Sequence, residues 1–114
     1  MSDLRTRPAR TPALEGYLIV DVGQPLGAPC VRSVLQEVSK LIDAGKNRLV
    51  INLAQTTYLS CVGIGTLVHL AHIAQEAGGR LLLAQLAQRD SDTLALVGLT
   101  DVLQVVSLGE DDVV

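Results

Sequence analysis

The sequence predicts an α/β fold, a single-layer, mostly parallel sheet of about four to five strands with helices packed on it. Three observations carry that expectation. Stretches with strand character alternate with stretches of helical periodicity, in the order strand, helix, strand, helix, strand, helix, strand; such alternation marks a parallel sheet joined by crossover helices. The strand candidates are apolar almost throughout rather than alternating, as strands buried on both faces are. Finally, 48% of the chain is hydrophobic but only 2% is aromatic, with no Trp and no Phe. A core of Leu, Val, Ile and Ala suits helix-on-sheet layers.

The elements follow in order. Residues 1–12 are polar, carry Arg5, Arg7 and Arg10, and are punctuated by Pro8 and Pro12, so they read as a flexible arm. A short strand is expected near residues 13–15, limited to an edge by Pro12. Tyr17-Leu18-Ile19-Val20-Asp21-Val22 is a stronger strand, and Gly23-Gln24-Pro25-Leu26-Gly27 forces a loop after it. A first helix is expected over 28–44, with Pro29 in the first turn, where its missing N–H is not needed. Val31, Val34, Leu35, Val38, Leu41 and Ile42 form its apolar stripe, and Gly45 caps it in the left-handed conformation.

Arg48-Leu49-Val50-Ile51-Asn52-Leu53 is the next strand, with a short extended piece at 57–59. A second helix starts near Cys61 and runs to about Ala77, with Ile64, Leu67, Val68, Ala71 and Ala74 or Gln75 as its stripe. Gly78-Gly79 stops it, and Arg80-Leu81-Leu82-Leu83-Ala84 is a continuous apolar strand. Arg89-Asp90-Ser91-Asp92 opens a third helix, with Asp or Ser as its N-cap. A last strand is expected over 102–106, before an acidic tail.

A length of 114 residues fits one domain and can bury a core without disulfides or metal. The net charge of −3 argues against binding a phosphate backbone, and so few aromatics leave few platforms for stacking bases. Nucleic acid is therefore not an expected partner. The arm lacks the apolar core of a signal peptide, and no apolar run approaches the ~18 residues of a membrane span. The expected compartment is the cytoplasm, with Cys30 and Cys61 reduced and no direct membrane insertion.

Candidate chemistry concentrates at Tyr58-Leu59-Ser60-Cys61-Val62-Gly63-Ile64-Gly65, where strand, turn and helix start meet. A thiol at a helix start has its pKa lowered by the free N–H groups and the dipole, so Cys61 is a candidate nucleophile. A phosphatase loop, however, needs Cys-x5-Arg, in which the guanidinium forks onto phosphate, and here that position is Leu67. Gly63-Ile64-Gly65 opens like a dinucleotide-binding fingerprint, but Val68 stands where the third glycine belongs. His69 and His72 lie one helical turn apart without an evident third metal ligand and without the Glu of a zinc-hydrolase helix. Asp90 and Asp92 read as helix capping, and Glu110-Asp111-Asp112 as a solvated tail. No catalytic constellation emerges, and no cofactor or metal is expected.

The chain resembles the STAS domain, the family of bacterial anti-sigma factor antagonists, over roughly residues 14–107. Three features carry the resemblance. The strand Leu49-Val50-Ile51-Asn52-Leu53 followed by Thr57-Tyr58-Leu59-Ser60-Cys61-Val62-Gly63-Ile64-Gly65-Thr66-Leu67 is similar to the family's strand, Asp-Ser-Ser/Thr-Gly-Leu-Gly turn and helix. Ala77-Gly78-Gly79-Arg80-Leu81-Leu82-Leu83-Ala84 resembles its glycine-led approach to the next strand. Leu94-Ala95-Leu96-Val97-Gly98-Leu99-Thr100-Asp101-Val102-Leu103 is similar to its Leu-x-x-x-Gly-Leu signature.

The resemblance implies a STAS-like domain over 13–114 after a flexible arm over 1–12. It implies a non-enzymatic interaction module that docks on an anti-sigma factor or sensor kinase, or on another STAS protein. In the family the first Ser of the turn is phosphorylated, which drives the partners apart by charge. Here Ser60 stands at the family's Asp, Cys61 at its phosphorylated Ser and Val62 at the next hydroxyl residue. The loop holding Gln24, Leu26 and Gly27 also lacks the family's acidic residue. Phosphorylation at Cys61 is therefore not expected, and Ser60 is a candidate displaced site. The implied partner surface comprises Gly23, Gln24, Leu26 and Gly27 of one loop, together with Tyr58, Ser60, Cys61, Val62, Gly63, Ile64 and Gly65. Two other functions stay open: a STAS subunit of a membrane transport ATPase, and a thiol-based redox sensor or enzyme centred on Cys61. An exposed edge strand near residue 13 and a short C-terminus would leave apolar surface for a homodimer.

Overall fold

A computed structural model describes residues 4–22, 28–54, 61–96, 98, 103–106 and 108–109. Its elements are β1 (Leu4–Pro8), β2 (Leu18–Val22), α1 (Ala28–Asp43), β3 (Arg48–Asn52), α2 (Cys61–Glu76), β4 (Arg80–Ala84), α3 (Gln88–Leu96) and β5 (Gln104–Val106), with a 3-10 turn at Pro12–Leu14. The five strands form one sheet in sequential order, parallel from β2 to β5, with β1 antiparallel to β2. This is the α/β architecture expected, with three helices.

The register explains the continuous apolar runs. Val20, Val22, Leu49, Ile51, Leu53, Leu81 and Leu83 pack on one side with Val34, Val38 and Ile42 of α1 and Leu67, Leu70, Ala71 and Ala74 of α2. Ile19, Val50, Leu82 and Ala84 point to the other side, where Leu14 covers them with Ala9, Tyr17, Val106 and Leu108 at the fringe. Both faces are apolar, so the period-2 alternation of a half-exposed strand is absent.

Both long helices end alike. Gly45 and Gly78 have φ of +88° and +85°, and the amides after them reach back five residues, Lys46 N to Leu41 O at 2.9 Å and Gly79 N to Ala74 O at 2.8 Å. This Schellman arrangement satisfies the last carbonyls and needs a residue that tolerates positive φ. The two turns are then tied together: Arg80 N donates to Asn47 O at 2.8 Å and Asn47 Nδ2 donates to Ala77 O at 2.7 Å.

Four expectations are corrected. Residues 4–8, read as part of a flexible arm, form an edge strand; pairing from Leu4↔Val22 to Pro8↔Leu18 supplies the backbone bonds, and Arg7 pairs with Asp21 across it. Pro8 is tolerated because it closes a strand paired on one side only. The strand expected at 13–15 is a 3-10 turn instead, with Pro12 pre-set for its first position and Leu14 buried. On α2 the buried stripe is wider than expected: Leu67, Ala71 and Ala74 are buried and Ile64 and Val68 half-buried, as the spacing predicts, but Leu70, missed, is fully buried as well. The helix fits between α1 and the sheet, so its buried arc is set by two neighbours. Lastly, α3 begins at Gln88, which places Asp90 in the first turn rather than at the N-cap. Asp90 is buried there, and Asp92 accepts a hydrogen bond from Gln88 Nε2 at 2.8 Å.

Candidate functional site

Because Asp21, Asn52 and Ala84 lie in register, β2, β3 and β4 end along one edge of the sheet. The C-terminus of α2 returns to the opposite edge, where Gly79 and Arg80 meet Asn47. Sixteen residues of helix rise about 24 Å, so the N-terminus of α2 stands at the carboxyl edge of the strands. That is where crossover connections gather binding residues in open α/β sheets.

At this end the chain places Cys61, Val62, Gly63, Ile64 and Gly65 in the first turns of α2. Val62 is 56% exposed, Gly63 is buried, Ile64 is half-buried and Gly65 is exposed. Thr66 Oγ1 donates back to Val62 O at 2.9 Å, anchoring the first turn. A Cβ added at Gly65 would meet nothing within 4 Å. The remaining implied docking residues, Gly23, Gln24, Leu26, Gly27, Tyr58 and Ser60, lie outside the described residues, as does the side chain of Cys61.

Beside them lies a polar network that sequence reasoning missed. Arg7 forks onto Asp21, with Nε to Oδ2 at 2.8 Å and Nη2 to Oδ1 at 3.3 Å. Asn52 Nδ2 donates to the same Asp21 Oδ1 at 2.6 Å, and Asn52 Oδ1 accepts Ala54 N at 3.1 Å. Asn52 is buried and both ends of its amide are held, and its oxygen fixes the second residue beyond β3. The signal available in the sequence was a polar residue near the end of each of two apolar strands. One position further along the edge, Gln85 takes a left-handed φ of 56° and buries an Nε2 that finds no hydrogen-bond partner among the described residues. Such local cost concentrates at functional ends of folds.

The other sequence candidates do not converge on chemistry. His69 and His72 are exposed, and His72 Nε2 engages Glu76 Oε1 at 3.0 Å. Among the described residues no group of three His, Cys, Asp or Glu side chains is placed to hold a metal ion. None of the described helices is long and apolar enough to cross a membrane.

The family model for the STAS domain matches residues 9–112. The chain belongs to the STAS domain family. Among solved structures, a putative anti-sigma factor antagonist from Thermotoga maritima, TM1081, superposes with a TM-score of 0.79 at 13% identity, over 96% of this chain and 89% of that one. The Bacillus cell-fate determinant SpoIIAA in its phosphorylated form superposes with a TM-score of 0.71 at 13% identity, over 96% and 94% of the two chains. The murine anion transporter Slc26a9 gives 0.68 at 17% identity, over 96% of this chain but 21% of the transporter. At these identities the superpositions speak for the fold. No curated protein sequence matches significantly. In this STAS domain the match begins at residue 9, inside the stretch expected to be an arm.

Proposed function

We propose that this STAS domain is a non-enzymatic regulatory interaction module of the cytoplasm. It docks on an anti-sigma factor or sensor kinase and is not switched by phosphate at the position of Cys61. The support is family membership over residues 9–112, joined to a fold shared with SpoIIAA, solved in phosphorylated and unphosphorylated forms. The observation that carries the reading is the first turn of α2. There an exposed Val62 follows Cys61 in the chain, and neither residue carries a hydroxyl. An aliphatic side chain there gains by burial, with about 25 cal/mol per Å² of apolar surface removed from water on docking. A thiol is not the acceptor of an ordinary Ser/Thr kinase, so the charge that would separate the partners does not arrive. The proposed surface extends to Ile64 and Gly65 and takes in Gly23, Gln24, Leu26, Gly27, Tyr58 and Ser60.

The test is calorimetric titration against an ATP-binding anti-sigma factor encoded in the same genome, with a phosphotransfer assay beside it. Saturable binding without phosphotransfer is expected, and Cys61→Ser should restore an acceptor. Phosphate transfer to the parent chain that Ser60→Ala abolishes would overturn the unswitched part of the reading. Complete absence of binding would overturn the docking part.

A further inference from the structure

All three helices lean on the face of the sheet that carries Val20, Leu49 and Leu81, with Leu94 of α3 in the same cluster. Among the described residues, the other face is covered by Leu14 with Ala9, Tyr17, Val106 and Leu108 at its fringe. At its amino edge this second face carries two guanidinium groups. Arg48 and Arg80 stand two positions before Val50 and Leu82, on the same side of their strands. They are in register, and neighbouring strands lie about 4.8 Å apart. Both are exposed, and neither forms an ion pair with a described residue. Like charges directly opposite on adjacent strands repel, so an anion brought to this row is stabilised by both.

The chain itself delivers one. β5 ends at Val106, level with Ala84 at the carboxyl edge. Leu108 lies against the second face, and Gly109 N donates to Thr11 Oγ1 at 2.8 Å. Thr11 is two residues from Ala9, whose N–H donates to Tyr17 O at 3.0 Å. Leu18 pairs with Leu49, so Tyr17, one position earlier, is level with Arg48 and Arg80. Between Val106 and Gly109 the chain has therefore crossed this face from the carboxyl edge toward the amino edge. Glu110, Asp111 and Asp112 come next in sequence. Arg48 and Arg80 lie about 7 Å along their strands from Val50 and Leu82, and three extended residues span about 10 Å, so these carboxylates reach the row. A cavity of about 420 Å³, lined by Ala9, Tyr17, Lys46 and Arg48 among others, opens at the same edge and leaves room for them.

We propose that the acidic residues 110–112 dock on the Arg48 and Arg80 row of their own chain, strapping the face of the sheet opposite the helices. Arg10, next to Thr11, flanks the same path. Exposed ion pairs are individually weak, but the tie from Gly109 to Thr11 holds the segment at the high effective concentration of a short linker. The strap lies away from α2 and is independent of docking at the start of that helix.

The experiment uses the whole ¹⁵N-labelled chain. Glu110→Gln, Asp111→Asn and Asp112→Asn, made together, should move the amide signals of Arg48 and Arg80, which are distant in sequence. Arg48→Gln with Arg80→Gln should in turn move those of Asp111 and Asp112. Salt at about 1 M, where the Debye length is about 3 Å, should produce the same shifts in the parent. Neutralising the acids should lower Tm by about 2–6 °C in the parent and by less than about 1 °C in the chain lacking both arginines. Both arginines are exposed, so these variants keep the fold. Unmoved Arg48 and Arg80 signals, or an equal loss of Tm in the two backgrounds, would overturn the proposal. Shifts that depend on chain concentration would place the segment on a second copy and overturn docking within one chain.

Discussion

Gly79→Ala probes the junction on which the parallel sheet depends. The added Cβ would sit 2.5 Å from the carbonyl carbon of Asn47 and 2.6 Å from its Cβ, and closer still to the carbonyl oxygen. These are mostly backbone atoms of the turn between α1 and β3, so no side-chain rotation relieves the overlap. Restoring van der Waals distance requires a displacement of about 1 Å, comparable to the overpacking that costs ~1–3 kcal/mol in other folds. The same movement strains the bonds from Arg80 N to Asn47 O at 2.8 Å and from Asn47 Nδ2 to Ala77 O at 2.7 Å, worth roughly 1 kcal/mol each. Reduced freedom of the unfolded chain returns about 0.4–1 kcal/mol. The expected net loss is about 2–4 kcal/mol, or roughly 10–20 °C in Tm for a chain of this length. Urea and thermal unfolding followed by circular dichroism measure it. Gly65→Ala is the internal control: with open space at its Cβ it should gain about 0.5–1 kcal/mol from helix propensity. Equal Tm values for Gly79→Ala and the parent would refute the close approach of the two turns.

Leu70→Ala, at a fully buried position on α2, should cost about 2–5 kcal/mol in urea unfolding; a loss under about 1 kcal/mol would mean the helix is rotated from the orientation described. Asp21→Ala strips Asn52 Nδ2 and the Arg7 fork of their acceptor, and should destabilise by about 1–3 kcal/mol, most of it recovered when Asn52 is also replaced by Ala. A double-mutant cycle with no coupling would dissolve the network. Val62→Asp, on an exposed position in the first turn of α2, should leave Tm within a few degrees because acids suit helix starts. It should still weaken titrated binding to an anti-sigma factor by about tenfold, and unchanged affinity would move the docking surface elsewhere.

What could be read in the chain was local. The runs ending in Val22, Asn52 and Ala84 announce strands because each is apolar on both faces, and the structure uses both faces. Gly45 and Gly78 announce helix stops because their left-handed backbone conformations suit little else. The stretch proposed for docking was visible because two glycines and a cysteine in sequence need no distant partner to be noticed. What could not be read was held by pairing across distance. Leu4–Pro8 has little apolar content of its own, and becomes a strand through β2 and through Arg7 meeting Asp21 fourteen residues away. Nothing local reveals that Asn52 hands its amide to Asp21, thirty-one residues earlier.

The sequence by itself therefore determined the α/β class, the central strands, the helix stops and the family, because periodicity and glycine conformational demands are properties of neighbouring residues. Only the tertiary structure decided how wide the buried face of α2 is, that the N-terminal residues close the sheet, and that Gly79 is needed inside the fold while Gly65 is not. Each of those depends on what another element brings within a few ångströms, and that distance is set by packing rather than by order along the chain.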